Sequence, residues 1–433
     1  EPVEHLDVLI VGAGLSGIGA AHFLQTECRW ATFALFEARG SVGGTWDLFR
    51  YPGIRSDSDM FTFSYSFRPW QGAKAIADGD TILDYLKDTA VDEGIDRHIR
   101  FGHRITRAEW SSTDARWTVT AERADGGETV VLTCSFLYAC TGYYRYDRGY
   151  LPDFEAMDDF GGTIVHPQFW PEDLDLTGKR VVVIGSGATA ITIVPAIAST
   201  VEHVTMLQRS PSYVMALPTR NPFADVVRKL LPPRISGPIL RWTLSMGALA
   251  LYQASRRRPQ AVKKLLRRRL AAQLPDDFDI DTHFSPRYDP WDQRLCFVSD
   301  GDLFRSLRHG TASIVTDTVD RFTPTGIRLG SGDELAADVV VTATGLDLLF
   351  VGGMDVIVDG DKVDPADRVA YKGMMLDGVP NMALAVGYTN ASWTLRADLI
   401  SDYVCRLLNH MRRSGLRQCT PTPAGPALAR SPL

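Results

Sequence analysis

The chain has 433 residues with 46 Lys+Arg against 52 Asp+Glu, a formal net charge of −6. That balance argues against nucleic acid as its main partner, and the length is too great for one ordinary core, so two or three domains are expected. Six cysteines (Cys28, Cys134, Cys140, Cys296, Cys405 and Cys419) are scattered without a C-x-x-C pair. They form neither a disulfide framework nor a zinc site, and they suit a reducing, cytoplasmic compartment.

In chain order, Asp7–Val11 is a short apolar strand followed at once by Gly12-Ala13-Gly14-Leu15-Ser16-Gly17. No cleavage site follows this apolar run, so the N-terminus is expected to belong to the fold and not to a removed leader. A strand leading into a G-x-G-x-x-G loop and then a helix of small residues is the context of a dinucleotide site. Gly12 permits the tight turn, Gly14 lets the backbone approach a pyrophosphate, and Gly17 lets helix and strand pack closely. The next strand, Thr32–Phe36, ends in Glu37. A carboxylate there accepts hydrogen bonds from a ribose diol and repels a 2'-phosphate, which suits the adenosine half of FAD.

Between Trp110 and Thr133, alternating residues around Gly126-Gly127 read as a β-hairpin or meander. Phe136–Gly142 (FLYACTG) reads as a late parallel strand whose C-terminal end, at Gly142, meets a ligand. A second nucleotide unit spans Arg180–Arg209. Its loop, Gly185-Ser186-Gly187-Ala188-Thr189-Ala190, follows the strand Arg180–Ile184, and its partner strand ends in Arg209-Ser210. Cation replaces anion at the diagnostic position, so Arg209, aided by Ser210, is expected to pair with the 2'-phosphate of NADPH.

From Arg220 to Arg269 there are thirteen Lys/Arg against one acid, Asp225, while Ile235–Ser255 carries only Arg241. This reads as a helical insertion whose residues 235–269 either present a solvated basic face or touch a membrane surface as a peripheral contact. Asp338–Gly345 (DVVVTATG) matches the FLYACTG strand, again ending in glycine, Gly345. The expected fold is α/β, with two dinucleotide-binding Rossmann-like domains, one inserted into the other. The expected boundaries are 1–145 and 329–415 for the FAD domain, 146–178 for a linker, and 179–328 for the NADP domain with a helical insertion at about 217–290. Residues 416–433, Pro- and Ala-rich from Thr420 onward, are expected to be a disordered tail.

At Gly43-Gly44-Thr45-Trp46, Arg50-Tyr51-Pro52-Gly53 and Ser56-Asp57 the chain resembles the flavin-containing monooxygenase superfamily, and its Baeyer–Villiger branch in particular. Phe160-x-Gly162-x-x-x-His166-x-x-x-Trp170-Pro171 matches the fingerprint of that branch at every named position. The resemblance runs from about residue 4 to about 415. It implies FAD and NADPH as cofactors and oxygen insertion from O2 into a small hydrophobic ketone through a C4a-peroxyflavin. The alternative is oxygenation of a soft sulfur or nitrogen in a thio-compound or amine.

The resemblance also implies roles for single residues. Gly44, Thr45 and Trp46 would lie against the flavin side of the cofactor, although Trp46 by itself reads equally well as core packing. Arg294 would be the catalytic arginine and Asp57 the aspartate that positions it. Arginine is suited to stabilise a peroxide anion and an oxyanion because its charge is permanent and its donors form a fork. Without the resemblance Asp57 reads rather as a turn or N-cap residue and Arg294 as a surface ion-pair partner, and Asp59 competes with Asp57 for the role. His166 and Trp170 would couple the domains without performing chemistry. Gln293 stands where many relatives carry a lysine, which leaves more of the 2'-phosphate to Arg209. An electron-transfer reductase, from a different class, is disfavoured by the missing C-x-x-C pair.

Overall fold

The computed structural model describes residues 3–293 and 295–423. Its first sheet is organised around His5–Val11, whose Val8, Leu9 and Ile10 are fully buried. A strand covered on both faces needs this continuous apolar run. His5–Val11 pairs in parallel with Phe33–Phe36 on one side and with Val130–Ala139 on the other. The start of Val130–Ala139 also pairs antiparallel with Arg116–Arg123, which pairs with His103–Ser111. The meander read around Gly126-Gly127 is therefore present. Met382–Leu384 adds in parallel along the end of Val130–Ala139. Helices Leu15–Glu27, Gly79–Asp92 and Thr394–Arg413 supply apolar residues to one core face, while the fully buried Trp110 and Trp117 anchor the other.

The second sheet has five strands, in the order Ala312–Thr316, His203–Gln208, Arg180–Ile184, Val339–Thr342 and Thr163–Val165, all parallel. This differs from the expected boundaries at two places. Val339–Thr342 pairs with Arg180–Ile184 and not with the first sheet, so the first unit does not resume at 329. Thr163–Val165, inside the stretch 146–178 expected to be a linker, is the edge strand of the second sheet. The physical reason is that the four residues Val339–Thr342 are buried throughout. A β-branched run of this kind fits the centre of either parallel sheet, and burial pattern alone does not say which. The elements that rejoin the first sheet late in the chain are Asp355–Val358, which pairs in parallel with His103–Ser111 and carries Asp361–Lys362 at the edge, and Met382–Leu384.

Residues 217–290 contain the helices Pro222–Leu230, Pro233–Arg257, Pro259–Ala271 and Ile280–Phe284. No helix among the described residues is long and apolar enough to cross a membrane. Of the stretch expected to be a disordered tail, Pro421 accepts a backbone hydrogen bond from Gly378, and residues 424–433 lie outside the described residues.

Candidate functional site

Both glycine loops sit at the C-terminal ends of their sheets' central strands, where open α/β sheets bind ligands. In the first, Gly12 has φ +104°, and a Cβ there would lie 2.6 Å from the Cys140 carbonyl oxygen. A Cβ on Gly17 would lie 1.9 Å from the Gly12 carbonyl oxygen, so only glycine lets helix and strand approach this closely. Gly14 is the N-cap of Leu15–Glu27 and supplies no side chain to the helix N-terminus. Its first N–H groups and the positive end of its dipole therefore suit an anion such as a pyrophosphate.

Glu37 is 7% exposed. One carboxylate oxygen accepts from the Ala13 N–H at 2.8 Å and the other from the Arg39 N–H at 2.9 Å. Burial raises its pKa, opposed by these two hydrogen bonds and by the Arg39 charge. A carboxylate has about four acceptor positions, so it keeps capacity for two ribose hydroxyls. Gly43 (φ +122°) and Gly44 (φ +56°) bring a second loop against the first, and a Cβ built on Gly14 would lie 3.5 Å from the Gly44 Cα. Thr45 shares a 2.7 Å hydrogen bond with the Tyr144 hydroxyl, and Trp46 packs edge-on against Phe63 at 5.7 Å.

Reading the sequence missed the aromatic wall around this loop. Tyr144 stacks on Tyr146 with centroids 5.1 Å apart, Tyr143 stacks on Trp393 at 5.5 Å, and the Trp393 indole donates to the Ser16 hydroxyl at 2.8 Å. The signal was the Tyr143-Tyr144-Arg145-Tyr146 run that directly follows Gly142.

The second loop repeats the geometry with the opposite charge. Gly185 has φ +139°, and a Cβ there would meet the Ala343 carbonyl oxygen at 2.4 Å. Gly187 caps Ala188–Ile197 without a side-chain hydrogen bond, and around it nothing lies within 4 Å of a built Cβ. Thr189 hydrogen-bonds the hydroxyl of the half-buried Tyr51, whose pKa burial raises. Arg209 and Ser210 are exposed just past His203–Gln208, and Arg209 has no acidic partner among the described residues. The Ser210 carbonyl accepts from the Ser186 hydroxyl at 3.2 Å.

The two units meet along a seam built from residues the fingerprints pointed to. A Cβ on Gly53 would lie 2.7 Å from the Ala196 Cβ, so the Tyr51-Pro52-Gly53 turn rests on the helix Ala188–Ile197. Arg55 pairs with Asp302 at 2.6 Å. The segments after Gly142 and Gly345 run side by side, with the Arg145 N–H donating to Asp347 and the Leu349 N–H to Tyr143. Gln168 donates to the Arg145 carbonyl, and the His166 ring lies against Gly149, where burial lowers its pKa.

Asp57 is half-buried on this seam, between the Arg55 ion pair and the helix Met60–Phe63. Asp59 is that helix's N-cap, accepting from the Thr62 N–H at 2.9 Å and the Thr62 hydroxyl at 2.7 Å. The capping role thus belongs to Asp59. Arg294 lies outside the described residues. Its successor Leu295 is buried in a cluster with Tyr213, Val262 and Leu266.

The profile of the family described as "Flavin-binding monooxygenase-like" matches residues 7–230. The chain is 55% identical over 413 residues to the FAD-containing monooxygenase EthA of Mycobacterium tuberculosis, covering 95% of this chain and 84% of that protein. It is 46% identical over 419 residues to the probable FAD-binding monooxygenase AlmA of Acinetobacter baylyi, covering 96% and 84%. Among solved structures, an oxidised steroid monooxygenase bound to NADP superposes with a TM-score of 0.80 at 25% identity, covering 97% of this chain and 88% of that one. An open cyclohexanone monooxygenase gives 0.81 at 22% identity, covering 97% and 90%, a likeness of fold alone.

Proposed function

This chain belongs to the flavin-binding monooxygenase-like family, and from that premise we propose that it is a FAD- and NADPH-dependent monooxygenase of Baeyer–Villiger type. It inserts one oxygen atom of O2 beside the carbonyl of a hydrophobic ketone to give an ester or lactone. The observation that carries this reading is the opposite charge at two equivalent positions. A buried Glu37 closes the first glycine loop, and an exposed Arg209 with no acidic partner among the described residues stands beside the second.

FAD, when bound, supplies the hydride acceptance and O2 activation that no side chain provides. The chain's own residues bind and orient. Gly12, Gly14 and Gly17 with the N-terminus of Leu15–Glu27 receive the FAD pyrophosphate, and Glu37 accepts the ribose hydroxyls. Gly44, Thr45 and Trp46 of the adjoining loop, with Gly142, would line the cofactor. Gly185, Gly187, Ala188 and Thr189 would receive the NADPH pyrophosphate, Arg209 and Ser210 its 2'-phosphate, and Gly345 would belong to the same nucleotide site. The wall of Tyr143, Tyr144, Tyr146 and Trp393 excludes water from the Gly44–Thr45 loop. Arg294 is the proposed catalytic cation at the reacting oxygen, with Asp57 positioning its guanidinium.

The test is product analysis. Purified protein should be yellow, bleach on NADPH, and convert a cyclic or long-chain ketone to one ester or lactone per NADPH consumed. Oxidation of a thioether without ester from any ketone would replace the ketone reading by heteroatom oxygenation. Colourless protein that takes up no FAD would overturn the oxygenase assignment altogether.

A further inference from the structure

Two helices of the insertion turn apolar side chains away from the protein. On Pro233–Arg257, Ile235, Ile239, Trp242, Met246 and Leu249 recur at the spacing of one helical face and are 39–68% exposed. At a rise of ~1.5 Å per residue this stripe is about 21 Å long. On the neighbouring Pro222–Leu230, Phe223, Val226 and Leu230 form a second stripe, 48–74% exposed. Single exposed apolar residues are ordinary on protein surfaces, but eight gathered on two adjoining helices are not.

The long helix is not loosely attached. Its other face buries Ser236 and Leu240 and packs Leu244 on the first core. Arg241 donates to the Thr62 carbonyl at 3.0 Å, to the Ser64 carbonyl and to the buried Asp398 at 3.1 Å. The outward stripe is therefore held rigidly where it is.

Its surroundings are cationic. Of the thirteen Lys/Arg between 220 and 269, Arg241, Arg256, Lys263 and Arg267 are in ion pairs, and Arg228 is spent on the carbonyls of Gln71 and Gly72. The other eight, among them Arg234, Arg257 and Arg258 at the ends of the helix, have no acidic partner among the described residues. A second copy of the chain seated symmetrically on this face would bring two such basic segments together, which like-charge repulsion opposes. A tryptophan projecting from an apolar ridge with cations beside it suits the headgroup level of a lipid surface.

We propose that this face docks on an anionic lipid bilayer. The helix Pro233–Arg257 lies along the interface, its stripe entering the headgroup–acyl boundary and the unpaired cations facing lipid phosphates. The inference is independent of which substrate the enzyme oxidises.

The experiment is sedimentation of the FAD-loaded enzyme with phosphatidylcholine vesicles, with and without phosphatidylglycerol, at low salt and at ~1 M salt, where screening shrinks to about 3 Å. Binding is expected only to the anionic vesicles at low salt. Trp242→Ser/Met246→Ser/Leu249→Ser should weaken partitioning by roughly tenfold or more, with NADPH oxidation unchanged. Arg257→Gln/Arg258→Gln should weaken it without touching the stripe, so the test survives poor folding of the triple variant. No vesicle binding, equal binding to neutral vesicles, or a scattering mass that doubles through this face and is lost in the triple variant would each overturn the proposal. The last outcome would assign the stripe to a second copy of the chain.

Discussion

Replacing Arg209 by alanine separates cofactor recognition from folding. Arg209 is exposed and has no acidic partner among the described residues, so its loss should move stability by less than ~0.5 kcal/mol. A charge-assisted hydrogen bond to a phosphate is worth about 1.5–3 kcal/mol, and exposure to solvent brings this site toward the lower end. At ~1.4 kcal/mol per decade that is about a tenfold rise in KM for NADPH. NADH carries no 2'-phosphate, so its KM should stay constant or fall. Arg209→Lys keeps the charge but loses the planar fork and should fall between, while Ser210→Ala should cost less than either. The assay is steady-state NADPH and NADH oxidation at fixed ketone and O2, repeated at rising salt. Parallel losses with both nucleotides would refute the pairing of Arg209 with phosphate, as would an unchanged NADPH KM in a correctly folded variant.

The two glycine loops offer a paired comparison. Gly17→Ala places a Cβ 1.9 Å from the Gly12 carbonyl oxygen and should lower flavin content per protein, whereas Gly187→Ala, with nothing within 4 Å, should fold normally and weaken only NADPH binding. Arg241→Ala leaves Asp398 buried without its cation and should cost about 3–5 kcal/mol in urea unfolding; a variant that also replaces Asp398 by leucine should recover part of that, and equal midpoints for both variants would argue against the ion pair. Arg180 lowers the Asp338 pKa from 3.8 to about 2 by hydrogen-bonding its carboxylate. A lowered folded-state pKa contributes stability above the unfolded value and loses it as pH falls through the folded one. The wild type's advantage over Asp338→Asn should therefore be full above about pH 4 and vanish toward about pH 2, read by urea midpoints across that window.

What could be read from the sequence was local and sterically forced. Gly12, Gly17 and Gly185 sit where a Cβ would strike backbone, so the pattern of glycines reports the turn directly. Glu37 and Arg209 end short strands at a fixed distance from those loops, so their charges are legible as well. Pairings made across long stretches of chain were not. Thr45 meets Tyr144 across 99 residues, and no periodicity announces it. Val339–Thr342 and Phe136–Ala139 are equally apolar, and only hydrogen-bond partners decide that one belongs to the second sheet and the other to the first. That Asp59 caps a helix was local and was missed, because Asp59 three residues before Thr62 is the spacing of an N-cap.

The insertion shows the same limit from the other side. The helical spacing of Ile235, Ile239, Trp242, Met246 and Leu249 was open to inspection, yet Leu240 and Leu244 are also apolar, and a helix apolar on two faces does not say which one the protein covers. Arg241 decides it. Its donors are used on Thr62, Ser64 and Asp398, beside the segment that carries Asp57, so the inner face must be its own. The same contact that ties the insertion to the candidate site forces the Trp242 stripe outward. The placement of this one guanidinium thus fixes which face of the insertion the protein covers.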